Sequence, residues 1–199
     1  QSKRQVRTMD KINIMIVGVG GQGSLLTSRI LGNVGLREGY DVKVSEVHGM
    51  SQRGGSVVTY VKMAKKVYSP LIEKGEADII LAFEELEALR WVDYLKSDGR
   101  MLINQQRIDP LPVIIGKAKY PENIVQKIEG RYPNTLSIDA LAIARQSGSI
   151  KTVNTVLVGL MAKSIDIPKQ VWIAAIEEIV PAKMLESNLK AFEAGYCYC

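Results

Sequence analysis

The chain has 199 residues, 46% hydrophobic and 24% charged, a composition that suits one soluble globular domain with a full core. No apolar run is long enough to span a bilayer and no signal peptide is visible, so the sequence points to the cytoplasm and away from membranes. The formal charge of +5 does not mark a nucleic-acid binder: Lys3, Arg4 and Arg7 lie before Met9, and without them 26 basic groups fall to 23 against 21 acidic ones.

Residues 1–8 are accordingly expected to be an N-terminal extension or tag remnant, and residues 9–199 a single domain. Ile12-Asn13-Ile14-Met15-Ile16-Val17 reads as a buried strand that enters Gly18-Val19-Gly20-Gly21-Gln22-Gly23, and Ser24-Leu25-Leu26 opens a helical pattern. Gly18, Gly20 and Gly23 have the spacing of a phosphate-binding turn, in which one glycine allows the bend, one admits a ligand to the backbone and one packs helix on strand. The free N–H groups and the positive dipole end at Ser24 favour an anion. Gly21 is a fourth glycine, so the loop carries almost no side chain except Gln22. The same glycines would also serve a tight turn that binds nothing.

The helix is predicted to run to about residue 38, with Leu25, Leu26, Ile30, Leu31 and Val34 as its apolar face and Gly39 as its cap. Gly32 and Gly35 each weaken a helix interior by about 1 kcal/mol, so both are read as close-packing positions. Asp41-Val42-Lys43-Val44-Ser45-Glu46-Val47 is the second strand, and Glu46 falls where a dinucleotide fold keeps its ribose-binding carboxylate. His48-Gly49-Met50-Ser51-Gln52-Arg53-Gly54-Gly55 then replaces the expected crossover helix. This segment sits at the carboxyl end of the second strand, beside the glycine loop, where open α/β sheets bind ligands. Ser56-Val57-Val58-Thr59-Tyr60-Val61-Lys62-Met63 reads as a strand and Lys66-Val67-Tyr68-Ser69 as its antiparallel return.

Asp78-Ile79-Ile80-Leu81-Ala82-Phe83 is a further buried strand, followed by a helix over 84–95. Glu84, Glu85 and Glu87 fall in that helix's first turn, where the dipole alone accounts for them, although Phe83 and Glu84 would lie within reach of the glycine loop. Arg100-Met101-Leu102-Ile103-Asn104 follows a Ser-Asp-Gly turn as a strand, and Leu111-Pro112-Val113-Ile114-Ile115 is expected as an edge strand or loop. Beyond it come a helix over 122–129, a short strand Thr135-Leu136-Ser137-Ile138, and a helix N-capped by Asp139 that stops at Gly148. Three more helices are predicted over 153–163, 168–180 and 182–194, the second with proline at its first position and the third ending at Gly195. The fold class is therefore α/β: a Rossmann-like, doubly wound and mainly parallel sheet with an antiparallel hairpin and C-terminal helices.

The chemistry is informative by its gaps. His48 is the single histidine, no G-x-S-x-G elbow exists, and Cys197 and Cys199 sit in the last three residues, where a pair of thiols in a reducing cytoplasm is the expected state. The glycine loop lacks the Lys-Ser/Thr of a P-loop, and no Cys/His set suits zinc or an iron–sulfur cluster. No residue is assigned as catalytic or as a metal ligand. What remains is a binding surface of Gly18, Gly20, Gly21, Gln22, Gly23, Glu46, His48, Gly49, Ser51, Gln52, Arg53, Gly54 and Gly55. His48 alone reads as a hydrogen-bonded turn residue, and Arg53 among glycines and polar side chains reads as an anion or carboxylate binder.

Val17-Gly18-Val19-Gly20-Gly21-Gln22-Gly23 together with Ser45-Glu46-Val47-His48-Gly49-Met50-Ser51-Gln52-Arg53-Gly54-Gly55-Ser56-Val57 resembles the gamma domain of 2-oxoacid:ferredoxin oxidoreductases. The His-Gly-Met-Ser-Gln-Arg-Gly-Gly form is most similar to the beta subunits of the indolepyruvate branch. The likeness continues through Tyr68-Ser69-Pro70-Leu71-Ile72, Gly75-Glu76-Ala77-Asp78, Phe83-Glu84, Tyr120-Pro121, Asn154, Gly159 and Asn188-Leu189-Lys190-Ala191-Phe192, and departs only before Met9 and at the Cys-Tyr-Cys tail. The resemblance implies a hetero-oligomer in which a larger alpha subunit carries thiamine diphosphate and iron–sulfur clusters. Electrons leave singly to ferredoxin, and coenzyme A takes the acyl group of an arylpyruvate after loss of carbon dioxide. This chain would be inactive alone, binding none of those cofactors itself, and would close the active-site cavity and help receive coenzyme A through the glycine-loop amides and Arg53. Two other readings stand beside it: a free-standing NAD(P)-binding Rossmann oxidoreductase, favoured by Glu46, and a purely structural subunit.

Overall fold

The structure, a computed structural model, describes residues 10–49 and 55–198. Met50, Ser51, Gln52, Arg53 and Gly54, four of them candidate site residues, lie outside the described residues.

Six strands form one mixed sheet: β1 (Lys11–Val19), β2 (Asp41–His48), β3 (Ser56–Ala64), β4 (Ala77–Ala82), β5 (Leu95–Asn104) and β6 (Thr135–Ile138). Their spatial order is β2-β3-β1-β4-β5-β6, with β1, β4, β5 and β6 mutually parallel and β3 antiparallel to both β1 and β2. Alternation along β1 assigns its side chains to two cores. Ile12, Ile14 and Ile16 join a core under α1 (Ser24–Arg37), α5 (Ala140–Gln146), α6 (Val153–Ala162), α7 (Lys169–Ile179) and α8 (Ala182–Tyr196). Met15 and Val17 face α2 (Glu85–Trp91) and α4 (Ile124–Arg131) on the other side. The sheet is thus wound with helices on both faces, as expected, and β1 reads as a continuous apolar run because both its faces are covered.

Several expected elements are corrected. The antiparallel hairpin is β2–β3, not Ser56–Met63 with Lys66–Ser69. β3 pairs with β1 along Lys11↔Ala64 to Val19↔Ser56 and with β2 along Asp41↔Ala64 to His48↔Val57, so neither edge is open to a return strand. The 66–69 segment instead hangs on Asp41, whose Oδ2 accepts the Val67 N–H at 2.9 Å. The helix after β4 ends at Trp91 rather than near 95, and β5 absorbs the expected Ser-Asp-Gly turn. A Cβ on Gly99 would lie 3.0 Å from the Ala77 carbonyl oxygen, so the glycine admits a close strand contact at a register shift. Leu111–Ile114 forms one helical turn, α3, because Pro110 and Pro112 sit where a first turn needs no N–H. Leu25 points to solvent, and Gly32 meets nothing within 4 Å, whereas Gly35 fits against Val42 Cγ2 and Met63 Sδ.

Gly195 does not end its helix. It lies inside α8, where a Cβ would strike the Val156 carbonyl of α6, and Gly159 of α6 faces the Phe192 carbonyl in return. The two backbones touch because both positions lack a side chain. Gly195→Ala is expected to destabilise the chain by about 2–3 kcal/mol through overpacking. Gly32→Ala, in open space, should stabilise by up to about 1 kcal/mol. Urea unfolding of the two variants checks the opposite signs.

Candidate functional site

β1, β4 and β5 end at the same edge of the sheet, and the loops that follow them meet there. β1 delivers the glycine loop, and α1 starts at its far end with Gly23 as N-cap at φ 90°, a left-handed conformation that disfavours any side chain. Asn154 of α6 packs against the same Cα: a Cβ on Gly23 would lie 2.9 Å from its Nδ2.

Gln22 holds the loop's shape. Its Oε1 accepts the Val19 N–H at 2.7 Å, and its Nε2 donates to the Phe83 carbonyl at 3.0 Å and to Gln106 Oε1 at 3.2 Å. Asn104 Nδ2 donates to the same Phe83 carbonyl and to Gln106 Oε1, each at 3.1 Å, and Asn104 Oδ1 accepts the Ala140 N–H. Two of these side-chain amides, Gln22 and Asn104, thereby satisfy backbone groups at the ends of β1 and β4 and at the start of α5, and Gln106 Oε1 bridges the pair. Such groups would otherwise be buried unpaired, at about 1–3 kcal/mol each.

The second motif lies beside the first. The hairpin loop returns so that the Gly20 N–H donates to the Gly55 carbonyl at 2.9 Å, and the Gly49 N–H donates to the Ser56 carbonyl at 3.1 Å. At its start, Glu46 Oε2 accepts from Ser24 Oγ at 3.1 Å and from Thr59 Oγ1 at 2.8 Å, while Oε1 lies 3.0 Å from His48 Nε2. Glu46 therefore ties β2, β3 and the first turn of α1 together, and both its oxygens have protein partners. His48 is half-exposed and held by Glu46.

Glu84 and Glu87 do more than complement a helix dipole. Glu87 is 4% exposed and reaches across to the exit of the hairpin loop, where Ser56 Oγ donates to its Oε2 at 2.5 Å. Glu84 is 1% exposed; it caps α2 through the Glu87 N–H and accepts from the Tyr120 hydroxyl at 2.5 Å and the Ile108 N–H at 3.0 Å. One helix thus anchors the hairpin loop on one side and the loop after β5 on the other. Burial, then the hydrogen bond to and negative charge of Glu84, push the Tyr120 phenol well above its ordinary value. Arg107 stacks 4.3 Å over the Tyr120 ring.

On the side of the glycine loop away from Glu46, a cleft of about 220 Å³ is lined by Gly21, Gln22, Phe83, Gln106, Leu141, Ile150, Lys151, Val153 and Asn154. Its volume is below the roughly 300–1,000 Å³ of a pocket that encloses a whole drug-sized ligand, so it suits one end of a larger molecule. Gln106, Lys151 and this side of Asn154 were not assigned to a site from sequence. They come from loops after β5 and before α6, with no local motif to mark them. Among the described residues no three His, Cys, Asp or Glu side chains cluster as metal ligands, and no helix is long and apolar enough to cross a membrane.

The pyruvate ferredoxin/flavodoxin oxidoreductase family model matches residues 13–198. The chain belongs to this family. It is similar to the indolepyruvate oxidoreductase subunit IorB of Thermococcus kodakarensis, with 42% identity over 195 residues, 94% of this chain and 95% of that one. Among solved structures it shares its fold with the gamma subunit of a keto/oxoacid ferredoxin oxidoreductase from Geobacter sulfurreducens, with TM-score 0.69, 22% identity, and 93% and 96% of the two chains covered. A 2-oxoglutarate:ferredoxin oxidoreductase from Magnetococcus marinus, solved with 2-oxoglutarate, coenzyme A and succinyl-CoA bound, gives TM-score 0.73 at 19% identity. There the match takes 95% of this chain but 31% of the other, so the fold spans about a third of that polypeptide. The family inferred from the two glycine motifs is the family found.

Gln22→Leu keeps the side-chain volume but orphans the Val19 N–H, and is expected to lower stability by about 1–3 kcal/mol in urea unfolding. The Tyr120 phenol, raised in the folded state, contributes stability that is full below its unfolded pKa of about 10 and is lost as pH climbs above that value. Stability should therefore fall from about pH 10 upward, and Tyr120→Phe should flatten that slope while lowering stability at neutral pH.

Proposed function

We propose that this chain is the smaller, gamma-type subunit of a cytoplasmic arylpyruvate (indolepyruvate):ferredoxin oxidoreductase and is inactive alone. The observation that carries the reading is the 42% identity, over nearly the full length of both chains, to a subunit of an indolepyruvate oxidoreductase. In the complex, a larger subunit brings thiamine diphosphate and iron–sulfur clusters, and the 2-oxoacid loses carbon dioxide while its electrons pass singly to ferredoxin. Coenzyme A, when bound, supplies the thiol that accepts the acyl group.

This chain's share is to close the cavity and receive the phosphate-bearing co-substrate. Glycine-loop N–H groups at the positive end of α1 suit phosphate oxygens, and the hairpin loop that carries Arg53 ends against that loop through the Gly20–Gly55 hydrogen bond. The modest cleft volume supports a shared site, in which the larger subunit supplies the remaining wall. Leu111, Ile114 and Ile115 of the α3 segment stand more than half exposed after β5, an apolar surface suited to that partner. The nicotinamide alternative leaned on Glu46 as a ribose ligand, and its two oxygens already serve Ser24, Thr59 and His48.

A tagged copy purified from its own host should bring down a larger chain, iron and thiamine diphosphate. The eluate should reduce a dye only with both an arylpyruvate and coenzyme A. A chain that elutes alone, metal-free and binding NAD(H) tightly overturns the proposal. Within the complex, Arg53→Ala should raise the apparent KM for coenzyme A by about tenfold, the loss of one charge-assisted hydrogen bond, without preventing assembly. Impaired assembly with an unchanged coenzyme A requirement would instead mark a purely structural subunit.

A further inference from the structure

We propose that the outer edge of β2, together with the exposed row of α1 beside it, is a two-fold interface between two copies of this chain. β2 is a terminal strand of the sheet, and among the described residues nothing pairs with its outer edge. Its eight residues hold no proline or glycine, and its pairing with β3 runs unshifted from Asp41↔Ala64 to His48↔Val57. Such an edge lacks the bulge, the proline and the shortness that keep free strands apart, and its one lysine, Lys43, is drawn to Asp41 at 3.0 Å along the same strand. Val44, on the α1 side of the sheet, stands 45% exposed there.

The helix beside that edge carries the same signal. Leu25, Arg29, Gly32 and Leu36 follow one another along α1 at the spacing of a single helix face. Leu25 and Leu36 are more than half exposed, and a Cβ on Gly32 would meet nothing within 4 Å. A glycine inside a helix weakens it, and nothing in this chain uses the room that Gly32 leaves. The row looks out over β2. Its neighbouring row packs on that strand, Gly35 against Val42 and Ser24 Oγ on Glu46, while α7 holds the far side of the helix through Glu178 and Arg37.

A second copy fits because strand and helix are self-complementary about the same point. When two α1 helices pack antiparallel, Leu25 of one copy meets Leu36 of the other and Arg29 lies over the gap at Gly32, so the centre falls midway between residues 29 and 32. Counted from the Gly35–Val42 and Ser24–Glu46 contacts, at about 1.5 Å per helical and about 3.3 Å per strand residue, that centre is level with Val44 to within about one residue. A two-fold axis there sets Val44 opposite Val44 of the second copy and keeps both α1 helices on one face of the joined sheet. Each charge on the strand then faces an uncharged residue: Asp41 meets Val47, Lys43 meets Ser45 and Glu46 meets Val42. A centre at residue 43 would instead oppose lysine to lysine. The contact is isologous and closes as a dimer. One strand edge and one helix row make an interface at the low end of the specific range, so a micromolar dissociation constant is expected. The face lies apart from the α3 segment and stands independently of the proposed subunit function.

Sedimentation velocity of the purified full chain, from about 1 µM to about 200 µM, should show a reversible monomer–dimer equilibrium. Val44→Lys puts two like charges at the axis and should raise the dissociation constant at least about tenfold, with an unchanged circular dichroism spectrum as the check of folding. Leu25→Lys and Leu36→Glu should each weaken the dimer by about tenfold, and the double variant should restore it, because the two positions meet only across the two-fold axis. Val44→Cys, with Cys197→Ser and Cys199→Ser, should form a disulfide-linked pair of small chains under a mild oxidant, both alone and in the complex purified from its host. A chain that stays monomeric throughout, a dimer indifferent to Val44→Lys, or a double variant no tighter than the single ones overturns the interface. Cross-linking of Val44→Cys to a larger subunit alone gives the edge to that partner and overturns it as well.

Discussion

The sheet is held in its working arrangement by the antiparallel insertion of β3 between β1 and β2. Pairing runs without a break from Lys11↔Ala64 to Val19↔Ser56, so the exit of the hairpin loop is fixed opposite the entrance of the glycine loop. Side chains alternate along this ladder: Val61 and Met63 fill one core, Val58 and Tyr60 the other. A slip of one residue would exchange those sets between the two faces, which makes the register strongly specified. The proximity of the two motifs is thus a by-product of core packing rather than of any contact between the loops themselves. Gly20–Gly55 then adds one hydrogen bond to a geometry already determined by the strands.

Carboxylates and amides divide the work around this junction. Glu46, Glu84 and Glu87 are each satisfied by hydroxyls, backbone N–H groups or neighbouring cations, and each joins elements that the sheet alone would leave free to shift. Their charges are consumed internally. The amides of Gln22 and Asn104, bridged by Gln106 Oε1, do the same for backbone groups at the strand ends, where helix and sheet hydrogen bonding stops. Because the carboxylates lie behind the loop or beneath α2, none of them lines the cleft beyond Gly21.

Much of this was legible in the sequence. The strand, glycine loop and helix of residues 12–37 announce themselves because apolar runs, glycine spacing and helical period coincide within one short stretch. The mixed sheet was also legible, but its hairpin partner was not: β-propensity marks Ser56–Met63 as a strand without saying which neighbour it takes, and an edge strand such as β2 pairs by tertiary context. Gly99 and Gly195 were read as turn and stop, since a glycine's role in close packing depends on what faces it. Pro110 and Pro112 were read against a helix, although a one-turn helix has no interior to disrupt.

The site shows the same division more sharply. Glycine motifs are local, so their residues could be named in advance, and the family likeness they carry was correct. Glu46 was placed by its spacing from the glycines, but spacing cannot register that Thr59 and Ser24 already occupy its lone pairs. Lys151, Asn154 and Gln106 are brought to the cleft by α6 and β5, which are far apart in the chain and adjacent only through the parallel order β1-β4-β5. Their convergence is a property of tertiary packing and not of residue order. An asparagine at the second position of an apolar helix looks like a packing or capping residue in sequence. In the fold it packs against the left-handed Gly23, where the missing Cβ leaves room for its amide.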